Sequence, residues 1–348
     1  MKQKQFPVFC AILAAVFYGI SVPAAKLLLY DMPPIFMASL LYLGAGMGMT
    51  AINLVQNKQT RKKEARITRK ELPYTAAMIA LDIAAPILLM IGLSMTTSAT
   101  ASLLGNFEIV ATTAIALVVF KEAIGKRMWL AIALITASSM ILSIEDFSNL
   151  KFSLGAVFVL LGCISWGIEN NCTRMLSLKN PMQIVVIKGI GAGFGSLLIT
   201  AFTGGISTNI LYIALSLLLG FVSYGLSIYL YIFAQRSLGA ARTSAFYAFA
   251  PFIGSGLSFI IFREAPAISF LIAFAVMTTG AYLAAFEKHD HEHDHALIEH
   301  EHRHDHSDGH HNHLHEPSVI GEHSHLHTHE PLKHSHKHTP DLHHLHKH

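Results

Sequence analysis

The stretch SATASLLGNFEIVATTAIALVVFKE, residues 98–122, decides the fold of this chain. The apolar run it belongs to, 97–120, is long enough to cross a bilayer as a helix, which takes about 20 residues. It carries one acid in its middle, Glu108, and ends on Phe120-Lys121-Glu122. A second stretch, 240–264, repeats it 142 positions later. Ala241 then aligns with Ala99, Ser244 with Ser102, Phe249 with Phe107, and Phe262-Arg263-Glu264 with Phe120-Lys121-Glu122. Another pair recurs 148 positions apart: Tyr18-Gly19-Ile20 with Lys26-Leu27-Leu28, and Trp166-Gly167-Ile168 with Arg174-Met175-Leu176. The chain therefore reads as two copies of one membrane unit.

Ten apolar segments follow from that reading: 6–29, 34–55, 73–93, 97–120, 128–143, 154–175, 181–202, 209–233, 241–261 and 269–286. Each is long enough, or nearly so, to span as a helix, which satisfies its own backbone groups in lipid. The first resembles a signal peptide in having Lys2 and Lys4 before it, but its apolar run is too long for one, and Pro23 and Lys26 fit the repeat. The expected architecture is all-α and integral to the membrane. It comprises two inverted five-helix repeats (6–144 and 151–286) followed by a disordered tail, 287–348. Five helices per copy is an odd number, so the second copy enters upside down, the usual construction of secondary transporters.

Charge divides the chain sharply. All 23 histidines lie between His289 and His348. Residues 1–288 hold 21 Lys/Arg against 11 Asp/Glu, and the remainder holds 4 against 11. The basic excess gathers in alternate loops, above all Lys58, Arg61, Lys62, Lys63, Arg66, Arg69 and Lys70. Such a bias sets orientation and is no evidence for nucleic acid. It predicts that both termini are cytoplasmic, in a multi-pass protein of the inner or plasma membrane. Cys10, Cys163 and Cys172 are odd in number and lie in apolar segments, so no disulfide framework is expected. No catalytic triad or phosphate loop appears, and an enzyme is not expected. Gly189-Ile190-Gly191-Ala192-Gly193 follows no strand, and its glycines serve close helix packing. Lys26 and Arg242 stand at helix ends, where such side chains snorkel to the interface.

The order of short motifs across the ten helices resembles the drug/metabolite transporter superfamily, with two EamA-type domains over about residues 6–286. The motifs are Phe17-Tyr18-Gly19 with Pro23 and Lys26, Gly92-Leu93 before Thr97-Ser98-Ala99, and Glu108 before Phe120-Lys121-Glu122. In the second half they are Trp166-Gly167-Ile168-Glu169-Asn170-Asn171, Lys188-Gly189 and Leu238-Gly239-Ala240-Ala241-Arg242. The resemblance implies a ten-helix inner-membrane carrier, commonly an exporter of small metabolites. It does not imply a substrate. Where the family often bears an arginine on the second helix, Ser39-Leu40-Leu41-Tyr42 is uncharged.

Ionisable groups inside a bilayer cost roughly 2.5–3.5 kcal/mol each on insertion scales, so each needs a reason. Asp82 precedes Pro86 by one turn, which frees its carbonyl from the helix ladder. It either holds a cation or amine there or bonds a neighbouring helix. Glu108, between Asn106 and Thr112, has Ala250 as its counterpart in the repeat, so the acid belongs to one half only. A carboxyl out of water that binds and releases a proton is a candidate coupling site. Glu169 and Lys188 flank the turn around 178–181 at similar distances and can meet as an ion pair, with Asn170 beside them. Structural pairing is the preferred reading, and opening to receive a zwitterion is the other.

The expected activity is export of a small, amphiphilic or amine-bearing metabolite by alternating access, driven by protons, with no cofactor for transport. The alternatives are a divalent-metal transporter (Zn, Ni or Co) and a metal-responsive membrane regulator, both suggested by the tail alone. Residues two apart in an extended chain project to one side, so His-x-His offers paired imidazoles to Zn, Ni, Cu or Co. The candidate ligands are His289, His291, His293 and His295, then His302, His304 and His306, then His323, His325, His327 and His329, and finally His334, His336 and His338. Too few apolar residues accompany them to pack a core. A pH-responsive segment is the competing reading of the same histidines. Expected partners are lipid, a small solute, protons and tail-bound metal, and a homodimer is compatible with the sequence.

Overall fold

The computed structural model describes residues 2–55, 68–120, 124–146, 151–176, 179–238, 243, 246–285, 290–295, 298–304, 323–329 and 332–337. Among them nine helical segments are long and apolar enough to span a membrane: Phe6–Leu28, Pro34–Val55, Leu72–Met95, Ser98–Val119, Lys126–Ser143, Leu154–Arg174, Met182–Thr203, Ile210–Gln235 and Ile268–Ala285. A shorter apolar helix, Ala250–Phe262, stands where the ninth of ten is expected, and residues 239–242, which open that segment, are outside the described part. We number the spans first to tenth in chain order. Their outer surface is apolar, with Val118 at 73% and Ile260 at 72% exposure, as a lipid-facing surface requires.

Several spans are interrupted. The first is broken at Ile20, between Lys2–Gly19 and Ser21–Leu28. The fourth is broken at Gly105-Asn106, between Ser98–Leu104 and Phe107–Phe120. In the second repeat a turn at Ala248-Phe249 precedes Ala250–Phe262, so the ninth span is interrupted at nearly the matching place. The eighth contains a wider π turn over Phe221–Leu226. Caps explain several starts: Thr97 accepts from Thr100 N at 3.2 Å, and Asn180, ahead of Pro181, accepts from Met182 N at 2.9 Å.

The packing carries the repeat symmetry. The third span packs on the sixth, and its counterpart the eighth packs on the first. The second likewise packs on the eighth, and the seventh on the third. The fourth packs on the sixth as the ninth does on the first. Three seams pair a span with its own counterpart: second with seventh, fourth with ninth, fifth with tenth. Exchanging the halves leaves this set of neighbours unchanged, as two repeats about a pseudo-twofold axis demand. Small residues set the separation on the second–seventh seam. A Cβ on Gly46 would meet Ile190 N at 2.6 Å, and one on Gly189 would meet Gly46 Cα at 2.6 Å.

Outside the helices, β1 (Ile144–Asp146) pairs antiparallel with β2 (Lys151–Phe152) where the repeats join. In the tail the backbone of β3 (Asp290–His295) pairs with β6 (Leu332–Lys337), and β4 (Ile298–His304) with β5 (His323–His329). Alternation with a period of two suits strand pairing, although isolated two-stranded ribbons are marginal in water. His289, His306 and His338 lie outside the described residues, as do Lys58, Arg61, Lys62, Lys63, Arg66 and Arg242.

Candidate functional site

The buried charges gather where the two repeats meet. Lys188, two turns into the seventh span, lies 3.1 Å from Glu169 Oε1 on the sixth, the pair that the hairpin spacing predicts. It also lies 3.2 Å from Asp82 Oδ2 on the third, a contact the sequence does not reveal. Asp82 is wholly buried and Glu169 nearly so. Two carboxylates thus share one ammonium, supplied with further hydrogen bonds. Tyr42 donates to Asp82 Oδ1 at 2.8 Å, Trp166 Nε1 donates to the Tyr42 hydroxyl at 3.3 Å, and Thr173 donates to Glu169 Oε1. Buried ions persist only when paired and hydrogen-bonded in this manner. Of the two readings of Asp82, bonding to neighbouring helices is the one seen.

Beside this cluster, Asn170 Nδ2 donates to Glu108 Oε1 at 2.6 Å and to Thr112 Oγ1 at 3.2 Å. Asn171 ties the same helices through Thr112 O at 3.1 Å and its own Gly167 O at 2.8 Å. The fourth span could not approach this closely without Gly167, where a Cβ would meet Ala111 Cβ at 2.6 Å. No hydrogen bond reaches Glu108 Oε2 among the described residues. Asn106, two residues before Glu108, takes no part in the network. It sits at the helix break with Nδ2 donating to Leu103 O at 3.2 Å, and its Oδ1 is buried without a partner among the described residues.

Glu108 also lines a small cavity of about 40 Å³, room for a few water molecules, together with Tyr18, Ser102, Gly105, Trp166 and Pro251. Five spans meet there, the first, third, fourth, sixth and ninth, and the first, fourth and ninth are interrupted close by. Helix breaks at a cavity are how membrane proteins present backbone to a solute, and the mid-membrane repeat interface is where carriers bind one. Tyr18, Tyr42 and Trp166 are the site residues the sequence reading passed over. An aromatic side chain with an O–H or N–H inside a span is a polar group needing a partner, and that was the available signal.

Lys26 corrects an expectation. Instead of snorkelling, its ammonium donates to Leu93 O at 2.6 Å and Thr96 O at 2.9 Å, capping the carbonyl end of the third span. A second, wider cleft lies beside it, lined by Thr96, Thr97, Thr100, Ser153 and Glu264. The tail side chains that carry the metal expectation have no described geometry.

Comparison with known proteins agrees with this architecture. The model of the EamA-like transporter family matches twice, over residues 5–144 and 153–286. An "Uncharacterized transporter" of Methanothermobacter thermautotrophicus is 30% identical over 289 residues, covering 78% of this chain and 84% of that protein. A protein of known crystal structure is similar with a TM-score of 0.54, over 79% of this chain and 95% of its own, at 15% identity, a likeness of fold alone. The chain is a multi-pass membrane protein of the EamA-like transporter family.

Proposed function

We propose that this transporter exports a small metabolite by alternating access, in exchange for protons bound at Glu108. One observation carries the reading. Glu108 stands in a cavity at a helix break, held through one oxygen by Asn170 of the other repeat, with its second oxygen free of hydrogen bonds among the described residues. A carboxyl so placed can exchange a proton without dismantling a structural bond. The Asp82–Lys188–Glu169 cluster bridges the two repeats next to it, so a charge change at Glu108 acts on the contact that rocking must rearrange.

Both termini face the cytoplasm in this reading, following the loop charges. The tail binds divalent metal as a buffer or sensor and is not the transport route, since residues 1–288 contain no histidine. A cysteine placed at Gln59 should escape labelling from outside the cell, and labelling there would reverse the orientation. Coupling is tested in proteoliposomes holding the purified full chain, with metabolite mixtures as substrate. An imposed pH gradient should accelerate flux, and flux indifferent to the gradient would reject proton exchange.

A further inference from the structure

We infer that the cleft beside Lys26 is a binding site for a zwitterionic lipid headgroup, one that carries a phosphate and an ammonium. This goes beyond the transport reading and draws nothing from Glu108. It stands on the size of the cleft, its two opposed charges and its place at the helix ends.

The cleft holds about 420 Å³, within the range of small-molecule sites, against about 40 Å³ for the cavity at Glu108. Its lining carries one cation, Lys26, and one anion, Glu264. The two make no direct ion pair among the described residues, although the field of Glu264 reaches Lys26. A ligand with a single charge is attracted by one of them and repelled by the other. A ligand with both charges is matched at both.

The backbone holds each pole in place. Lys26 donates to Leu93 O and Thr96 O at 2.6 and 2.9 Å. Its contact with Ser94 O, at 3.4 Å, is long enough for the third hydrogen to turn to a ligand. Hydroxyls are at hand for the same phosphate. Thr100 Oγ1 accepts from Thr97 and Ser153 Oγ accepts from Ala156 N, so each keeps its own hydrogen to donate. At the other pole Glu264 follows Arg263, whose φ of 54° is the one left-handed non-glycine backbone among the described residues. That conformation costs roughly 1–2 kcal/mol outside glycine, and such strain persists where the chain must aim a functional group. Here it turns the chain off the ninth span and onto the cleft.

Place separates a lipid from a free solute. The lining comes from the ends of the first, third, fifth and ninth spans and the starts of the fourth and sixth. All of these lie on the side opposite the basic 58–70 loop, at the depth of lipid headgroups. Met95, Leu142 and Ile144 make part of the lining apolar, and the exposed side chains of Leu27, Phe152 and Leu154 adjoin it in the chain. A headgroup in the cleft leaves its acyl chains to cover such apolar surface, from which a small polar solute gains nothing.

The test is native mass spectrometry of the purified full-length chain in detergent. It is titrated with phosphatidylethanolamine, with anionic phosphatidylglycerol and with a cationic trimethylammonium lipid, all bearing the same acyl chains. The zwitterion should occupy the chain at several-fold lower concentration than either singly charged lipid. Glu264 is exposed, so Glu264→Lys should fold. That variant should reverse the order and favour phosphatidylglycerol by about threefold or more, while Glu264→Asp keeps the original order. Equal occupancy by the three lipids overturns the proposal, as does an unchanged order in Glu264→Lys. Glycerophosphoethanolamine carries the same charges without acyl chains. It should displace the lipid only at about a hundredfold excess or more, because it lacks the buried hydrocarbon. Displacement at equal concentration would make the cleft a solute site and overturn the lipid assignment.

Discussion

Lys188 Nζ lies 3.2 Å from Asp82 Oδ2 and 3.1 Å from Glu169 Oε1, so one ammonium joins the first repeat to the second. Removing it strands two buried carboxylates. Lys188→Met should therefore destabilise the protein by about 3–5 kcal/mol, the usual cost of an orphaned buried charge. Adding Asp82→Asn and Glu169→Gln should recover most of the loss, because the stranded charge is gone. Thermal unfolding in detergent checks both. A single Met variant as stable as the parent would mean that the ion pairs do not hold the repeats.

Glu108→Gln keeps the side-chain shape and removes the proton site. Asn170 donates to Oε1, a bond that an amide oxygen can accept, so the variant should insert and fold. Transport should fall at least tenfold and lose its pH dependence, as expected when a residue that exchanges protons is blocked. Glu108→Asp should keep part of the activity. Full-rate transport with an unchanged pH profile would make Glu108 a structural residue.

How much of this was legible beforehand depends on the range of the interaction. The recurrence of Phe-Lys-Glu and Phe-Arg-Glu, with apolar runs of membrane-spanning length, gives spans and repeat directly, because a bilayer constrains each segment by itself. Glu169 meets Lys188 across a short hairpin, so sequence spacing was enough to pair them. Asp82 reaches Lys188 across 106 positions of chain, and Tyr42 reaches Asp82 across 40, contacts fixed by helix packing that no local pattern encodes. The interruption at Gly105-Asn106 was missed for a related reason. Both residues are tolerated inside membrane helices, so neither marks a break, and the ninth span packed against the helix that ends there is distant in sequence.

Glu71 and Lys179 make a second link between the repeats, at the membrane edge, 3.4 Å apart. Burial acts to raise the Glu71 pKa, but hydrogen bonds from Thr68 N and Oγ1, at 2.6 and 2.7 Å, and the Lys179 charge outweigh it and hold it below the usual carboxylate range. A depressed folded value means the contribution is fully present above the unfolded carboxylate value, about 4.3, and is lost as pH falls through the lower folded one. Hydrogen exchange at 68–72 should accelerate over that acid window. Glu71→Gln should abolish the acceleration, and a variant with an unaltered acid response would assign it elsewhere.

The tail gives the last expected outcome. The strand register sets His291 opposite His336 and His293 opposite His334 in one ribbon, and His300, His302 and His304 opposite His327, His325 and His323 in the other. Imidazole binds Zn and Ni as the neutral base, so protonation competes with the metal. Full-length protein should bind several zinc or nickel ions at micromolar levels near neutral pH, and a chain ending at Phe286 should not. Acidification below about pH 6.5 should release them, because the histidines then take up protons in place of metal. Calorimetry on both chains at two pH values decides the matter. Equal binding by the shortened chain would move the metal site into the membrane part, where residues 1–288 offer acids and cysteines but no histidine. No binding by either would leave proton uptake as the property those histidines supply.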